Sequence, residues 1–289
     1  SLKKCWNFRE ATAEGHAVKR TYQQLLPMDE TTTVKEQFGW LPLSIFKPAR
    51  REDWRELIGD DGDETTRRST EAEYLPGLRF SEFHPHLAEV VIRYWSLEND
   101  LIVDPFAGRA TRGIVALELD RRYEGYEVAK QTFKQSYEKL TAHHAASNAR
   151  LWCLDGCELA HTVNDSADLI FTCPPYHRLE KYQSAASQLS DLPTYEKFIE
   201  QIVICAKNCF RVLKREKFLC WVCADWRDGI AFRLFHADSL RIFQDAGFVT
   251  HDVVIVHNNS PFAPLQAGKV AAKRYTSKTH EYLLVFRKP

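Results

Sequence analysis

The chain's 289 residues carry 39 basic and 39 acidic side chains, a formal net charge of zero. That balance removes any global electrostatic case for a polyanionic partner and requires any basic surface to be local. The length accommodates one large α/β core, or one core with a small appendage. No apolar run approaches the roughly 18 residues of a membrane span, and the first residues lack a charged-then-apolar leader pattern, so the expectation is a soluble, cytoplasmic protein. Of the eight cysteines, Cys153 and Cys157, Cys205 and Cys209, and Cys220 and Cys223 are closely spaced. Each falls inside an apolar strand or helix pattern rather than on a loop knuckle, so they read as buried reduced thiols and not as metal ligands.

In chain order, residues 1–79 are the least informative and are set apart as an N-terminal extension to a domain over 80–289. Within them, 37–46 has the look of a buried extended segment, 51–58 of a short helix with Trp54 and Leu57 inward, and 59–71 of an exposed polar loop. Residues 81–95 read as a helix capped by Ser81, with Leu87, Val90, Val91 and Tyr94 on one face. At 100–112 the pattern changes. Leu101, Ile102 and Val103 are continuous apolar residues ending in Asp104, as in a strand buried on both faces. Pro105 stops it, Gly108 permits a tight turn, and helical spacing resumes at Thr111. Such a strand, loop and helix start presents backbone N–H groups to an adenosine-type cofactor.

Residues 122–128 read as a second strand closed by Glu127, an acid about 20 residues past the glycine turn, where it can accept both hydroxyls of a ribose. A polar helix over 129–148 leads to a third strand, 151–156, that ends in Asp155 and Gly156. Residues 168–176 repeat the design of the first strand, but Cys173, Pro174, Pro175 and Tyr176 form the stop. Tandem prolines stiffen the backbone and remove two donors, which leaves carbonyl oxygens to accept from a ligand. An amphipathic helix follows over 195–213, then a strand over 217–225 and a helix over 235–247 closed by glycine. The segments 248–257 and 280–288 read as a final antiparallel pair. Between them, 258–279 contains no acid and carries Lys269, Lys273, Arg274 and Lys278, the best candidate for a phosphate-contacting loop.

The run from Asp104 to Thr111 and the Cys-Pro-Pro-Tyr run together resemble motifs of the S-adenosylmethionine-dependent amino-methyltransferases of DNA. The resemblance covers about residues 79–288. It implies an α/β Rossmann-like methyltransferase fold, a seven-stranded, mostly parallel sheet with an antiparallel last strand. It implies that Asp104, Pro105, Phe106, Ala107, Gly108 and Thr111 hold the cofactor, that the His84-Pro85 turn meets its methionine end, and that Asp155 and Gly156 meet its adenine. It also implies that Cys173 to Tyr176 grip a base flipped out of DNA. Compact phage-associated DNA methylases carry a similar Cys-Pro-Pro-Tyr followed by Leu-Glu-x-Tyr, as Leu179, Glu180 and Tyr182 stand here, which places the protein in a prokaryotic or phage-infected cell. Two departures stand out: Ala110 replaces the last loop glycine, and Cys173 stands where Ser, Asp or Asn is usual.

An exocyclic amino nitrogen of cytosine (N4) or adenine (N6) is a poor nucleophile, because its lone pair is delocalised into the ring. The Pro174 carbonyl and the side chain at 173 would accept its two hydrogens while Tyr176 stacks on the base. The chemistry needs no metal. Three rivals stay open at this point. Gly108, Ala110 and Gly113 with Glu127 also pass as a dinucleotide fingerprint, which allows a nicotinamide oxidoreductase with no use for the Pro-Pro-Tyr stop. Cys173 allows a pyrimidine C5 methyltransferase with that thiol as nucleophile. A catalytically inactive, nucleic-acid-binding module is the third. RNA in place of DNA is also open.

Overall fold

The computed structural model describes residues 42–49, 83–143, 148–177, 188–257 and 271–289. The expected helix at 51–58, the polar loop at 59–71, Leu179 to Tyr182 and Lys269 lie outside them. Among the described residues the main sheet has eight strands: β1 (Ile45–Phe46), β2 (Leu101–Asp104), β3 (Arg122–Tyr126), β4 (Ala149–Trp152), β5 (Ala167–Thr172), β6 (Leu213–Cys223), β9 (Val249–His257) and β10 (His280–Arg287), in the order β1-β9-β10-β6-β5-β2-β3-β4. Neighbours pair in parallel except around β10, which runs antiparallel to both β6 and β9. The antiparallel last strand is therefore as expected, and it is inserted between its neighbours. The eighth strand exceeds the expected seven because β1 is only two residues long, too short to show a strand period. It adds to the free edge of β9, with the Ile255 N–H donating to the Ser44 carbonyl at 2.8 Å, and covers backbone groups that an edge strand otherwise leaves unpaired. Phe46 joins the core, so the sheet recruits residues from within the N-terminal extension.

Strand alternation sorts the core into two layers. Ile102, Leu169, Phe171, Cys220 and Val222 face α1 (Pro85–Trp95) and α2 (Thr111–Glu118). Val103, Ile170, Leu219, Trp221 and Cys223 face α4 (Tyr195–Val212) and α5 (Phe235–Asp245). All six residues of β5 are buried, which is why its middle, Leu169, Ile170 and Phe171, is apolar at consecutive positions rather than alternating. The remaining helix, α3 (Lys130–His143), follows β3 and sends Leu140 into the first layer.

Several boundaries move. Helix α1 starts at Pro85 with His84 at its N-cap in extended backbone, not at Ser81, which lies outside the described residues. Proline at the first helical position has the required φ already set and lacks a donor that would be unsatisfied there. Strand β6 starts at Leu213, directly where α4 ends. A hairpin that the periodicity did not announce, β7 (Trp226–Asp228) with β8 (Ala231–Arg233), leaves the end of β6 as a separate two-stranded sheet. Cys157, Cys205, Cys209, Cys220 and Cys223 are buried in the core, and burial pushes the Cys220 and Cys223 thiols well above the ordinary range. No described helix is long and apolar enough to cross a membrane.

Candidate active site

Strands β5, β2, β3 and β4 lie side by side and parallel, so their carboxyl ends form one edge. Asp104 ends β2, Glu127 follows β3, Asp155 follows β4 and Cys173 follows β5. The chain leaves β2 toward β3 on one side and reaches β5 on the other, and ligands of open α/β sheets bind at such a switch point.

Asp104 is fully buried, and its carboxylate organises the edge. It accepts from Arg112 Nε at 2.8 Å, from the Tyr123 hydroxyl at 2.9 Å, from Thr172 Oγ1 at 2.6 Å and from the Phe106 N–H at 3.1 Å. Arg112 also donates to the Phe106 carbonyl at 2.5 Å. Burial alone would lower the pKa of Arg112, but the carboxylate beside it reverses the direction and leaves it above the ordinary value. Burial first, then the Asp104 charge, drives the Tyr123 phenol well above its usual range. These bonds saturate the carboxylate, so Asp104 sets the shape of the loop that follows it.

The sequence makes room for this network. Tyr123 reaches Asp104 by lying across two glycines: a Cβ on Gly113 would come within 2.7 Å of its ring and one on Gly125 within 2.8 Å. Phe83 stacks under Arg112, with the guanidinium 4.5 Å from the ring centroid, and meets Phe171 edge-on at 5.4 Å. That contact seats the half-buried His84-Pro85 turn beside the loop.

The loop itself runs through two residues in the left-handed region, Gly108 at φ 53° and Ala110 at φ 61°. Ala110 is thus more than a small departure from the family pattern, because a side chain in this conformation costs about 1–2 kcal/mol. The Ala107 N–H is held by the Tyr126 carbonyl at 2.8 Å, and the Gly108 carbonyl accepts from Ser136 of α3 at 2.7 Å. Glu127 faces the loop. Its carboxylate accepts from the Ala129 N–H at 2.7 Å and from the Gly108 N–H, yet burial dominates and raises its pKa to about 7. A partly exposed carboxylate at this strand end fits a ribose, whose two hydroxyls are donors that a desolvated carboxylate lacks.

Asp155 accepts from the Cys157 N–H at 2.9 Å, forming the turn in which Gly156 sits. A Cβ at Gly156 would lie 1.7 Å from the Pro105 carbonyl oxygen. Only glycine permits this approach, which brings the loop after β2 and the Asp155 turn into direct contact across the strand ends.

At the end of β5, Pro174 is buried while Cys173, Pro175 and Tyr176 are partly exposed. The Tyr176 ring lies 5.7 Å from that of Trp226, itself packed on Tyr195 and Phe235 at 5.8 and 5.5 Å. Beyond it Asp225 is buried and accepts from His236 Nδ1 at 2.8 Å, and the His236 ring stacks on Tyr282 at 4.2 Å. Of the basic positions, Lys273 and Arg274 are exposed, whereas Lys278 turns inward and donates to the Asp225 carbonyl. Among the described residues no three His, Cys, Asp or Glu side chains converge as metal ligands do.

Arg112, Tyr123, Thr172 and Trp226 are the site residues that sequence reasoning passed over. Arg112 had a signal, a basic residue on an otherwise apolar helix start eight positions after a strand-end acid. The other three are ordinary core residues by type, and only the fold brings them to the edge.

Fold and strand-end site together define a nucleotide-binding protein of the methyltransferase class. A family model described as DNA methylase, of the N6/N4 type, matches residues 33–138 and 167–289, and the chain belongs to that family. S-adenosylmethionine is the cofactor of the family. Over 59 residues the chain is 37% identical to the type II methyltransferase M2.DpnII of Streptococcus pneumoniae, a stretch covering 20% of this chain and 22% of that protein. The match thus spans about a fifth of the curated relative's length. Among solved structures, the [4+2]-cyclase SpnF superposes with a TM-score of 0.52 at 16% identity, over 71% of this chain and 82% of that one. TrmN from Thermus thermophilus superposes with a TM-score of 0.50 at 15% identity, over 77% and 53%. Likeness at these identities is one of fold.

Proposed function

We propose that this chain transfers a methyl group to the exocyclic amine of a base flipped out of DNA, cytosine N4 or adenine N6. S-adenosylmethionine, when bound, supplies an electrophilic methyl group on a sulfonium. The observation that carries the reading is the bond from Thr172, one residue before Cys173, to Asp104, one residue before the cofactor loop. A single buried carboxylate thereby ties the 105–108 turn to the Cys-Pro-Pro-Tyr turn, which supports the reading because in-line transfer depends on such placement.

In this reading Glu127 accepts the ribose hydroxyls, Asp155 and Gly156 border the adenine, and the turn of 105–108 with Thr111 holds the centre of the cofactor. His84 and Pro85 flank its methionine end. The Pro174 carbonyl and Cys173 accept the two amine hydrogens and draw the nitrogen toward tetrahedral geometry, while Tyr176, backed by Trp226, stacks on the base. Lys273 and Arg274 contact phosphate, with Lys269 beside them in sequence. The domain over 80–289 carries the chemistry and the preceding residues contribute to substrate recognition.

The test is mass spectrometry of nucleosides from DNA incubated with the protein and a methyl-deuterated cofactor. N4-methylcytidine or N6-methyladenosine bearing the label is expected in the deoxy series. Label in 5-methylcytosine, or in RNA alone, would remove the assignment.

A further inference from the structure

The hairpin β7–β8 leaves the sheet at the end of β6, next to the strand that ends in Cys173. Its turn is two residues long, Gly229 and Ile230, with Asp228 paired to Ala231. Gly229, at φ 61°, takes the positive-φ first position that a tight hairpin turn of this kind requires, and this puts Ile230 at the tip. Ile230 is 95% exposed, with Phe232 at 42% and Leu234 at 49%. Phe232 lies on the ribbon with the Arg227 guanidinium 5.1 Å from its ring centroid, and Leu234 caps the helix that follows, so Ile230 is the apolar group that projects furthest.

The root of the ribbon is rigid. Trp226 is buried against Tyr176, Tyr195 and Phe235. Arg233 lies over the Tyr195 ring at 4.5 Å and meets Asp228 at 3.5 Å. Arg227 stacks on Tyr275 at 3.6 Å, which ties the ribbon to the segment bearing Lys273 and Arg274. The apolar tip thus stands beyond one exposed cation, Arg227, and an Arg233–Asp228 ion pair, and it is anchored through the ring that backs Tyr176.

We propose that this hairpin is the wedge that enters the DNA duplex as the target base leaves it, with Ile230 filling the vacated space. The inference rests on the proposed function. Extruding a base leaves a gap in the stack, and an aliphatic side chain fills such a gap without a hydrogen-bonding need of its own. Arg227, exposed on the first strand of the ribbon, answers a neighbouring phosphate. Because Trp226 is both the root of the ribbon and the support of Tyr176, insertion of the tip and capture of the base occur on one rigid unit.

The test measures methyl transfer from tritiated S-adenosylmethionine to native and to heat-denatured plasmid DNA, since a base in a single strand needs no wedge. Ile230→Ala is expected to slow transfer to native DNA roughly tenfold and to leave transfer to denatured DNA within about twofold of wild type, with Ile230→Met close to wild type on both. Its thermal midpoint should match wild type, because the residue touches solvent. Equal losses on both substrates, or no loss on either, would overturn the wedge while wild-type activity keeps the proposed function intact. A smaller sedimenting species for Ile230→Ala would overturn it too, by making the tip a self-association contact. Wild-type inactivity on both DNA forms would remove the proposed function and the wedge together.

Discussion

Thr172 Oγ1 donates to Asp104 Oδ1 at 2.6 Å and itself accepts from the Phe106 N–H at 3.3 Å, so one hydroxyl joins the ends of β5 and β2. Both Thr172 and Asp104 are fully buried. Thr172→Val keeps the shape, leaves Asp104 one donor short, and removes one of the two acceptors of the Phe106 N–H, which keeps Asp104 Oδ1. A hydrogen bond to a charged group contributes about 1.5–3 kcal/mol, and urea unfolding should read its removal as lost stability. Calorimetry should show weaker binding of S-adenosylmethionine, and Thr172→Ser should restore both. A purely structural role would lower stability and leave the affinity of the folded protein unchanged.

Glu127 predicts a pH dependence with a definite sign. Burial raises its pKa from 4.5 to about 7 in the free protein, whereas a ribose donating two hydroxyls favours the carboxylate. Cofactor affinity should therefore rise with pH up to about 7 and level off, falling about tenfold per unit below it. The free protein behaves oppositely: the folded pKa exceeds the unfolded one, so this group's contribution to stability falls as pH rises between the two. Thermal shifts with and without S-adenosylmethionine over pH 5–8 read both trends. Glu127→Gln should bind weakly with a flat profile, and a flat profile in the wild type would exclude Glu127 as the ribose acceptor.

Ala110 occupies a backbone conformation that glycine adopts freely. Its side chain is buried in the first core layer, so substitution sets relief of strain against loss of a methyl group. Relief of about 1–2 kcal/mol is offset by the loss of one buried methyl group, about 0.8 kcal/mol, and by a looser unfolded chain, about 0.4–1 kcal/mol. Ala110→Gly should change unfolding free energy by less than about 1 kcal/mol in either direction and leave cofactor affinity intact. A large loss of stability would mean that the methyl group, and not the backbone, selects alanine here.

Strands β2 and β5 were legible because buried parallel strands read as short apolar runs with abrupt stops, Leu101–Val103 and Leu169–Phe171 here, and β3 and β4 were legible by their acid ends. Asp104, Glu127, Asp155 and Cys173 therefore fell at strand ends, as their flanking sequence implied. Arg112 stood out as a basic residue on an apolar helix start, but its partner was not legible, because one turn of helix says which face it lies on and not which carboxylate waits there. Trp226 and the hairpin escaped because three-residue strands are shorter than any measurable period, although Asp228-Gly229 is a turn signal. Lys278 was grouped with its basic neighbours by charge, and only the path of β10 turns it toward the Asp225 carbonyl. What sequence patterns conveyed was burial and periodicity; what they lacked was the pairing between strands distant in the chain.

Cys173 separates the amine chemistry from its nearest rival most sharply. It packs at the edge of the first core layer, directly after Thr172. If its part is to accept a hydrogen from the target amine, Cys173→Ser should keep a substantial share of the turnover, since a hydroxyl accepts at least as well as a thiol. Cys173→Ala should lower kcat more than KM, because the lost contact matters most as the nitrogen becomes tetrahedral. Tyr176→Ala should lower kcat/KM further by removing the stacking face. A nucleophilic thiolate would behave otherwise: both Ser and Ala would abolish turnover, since a hydroxyl without an activating base is a far weaker attacker. The measurements are single-turnover methyl transfer for each variant and denaturing electrophoresis after incubation with 5-fluorocytosine-containing DNA. Retained Ser activity and no covalent adduct are expected; a trapped adduct at Cys173 would replace the amine by ring carbon as the site of transfer.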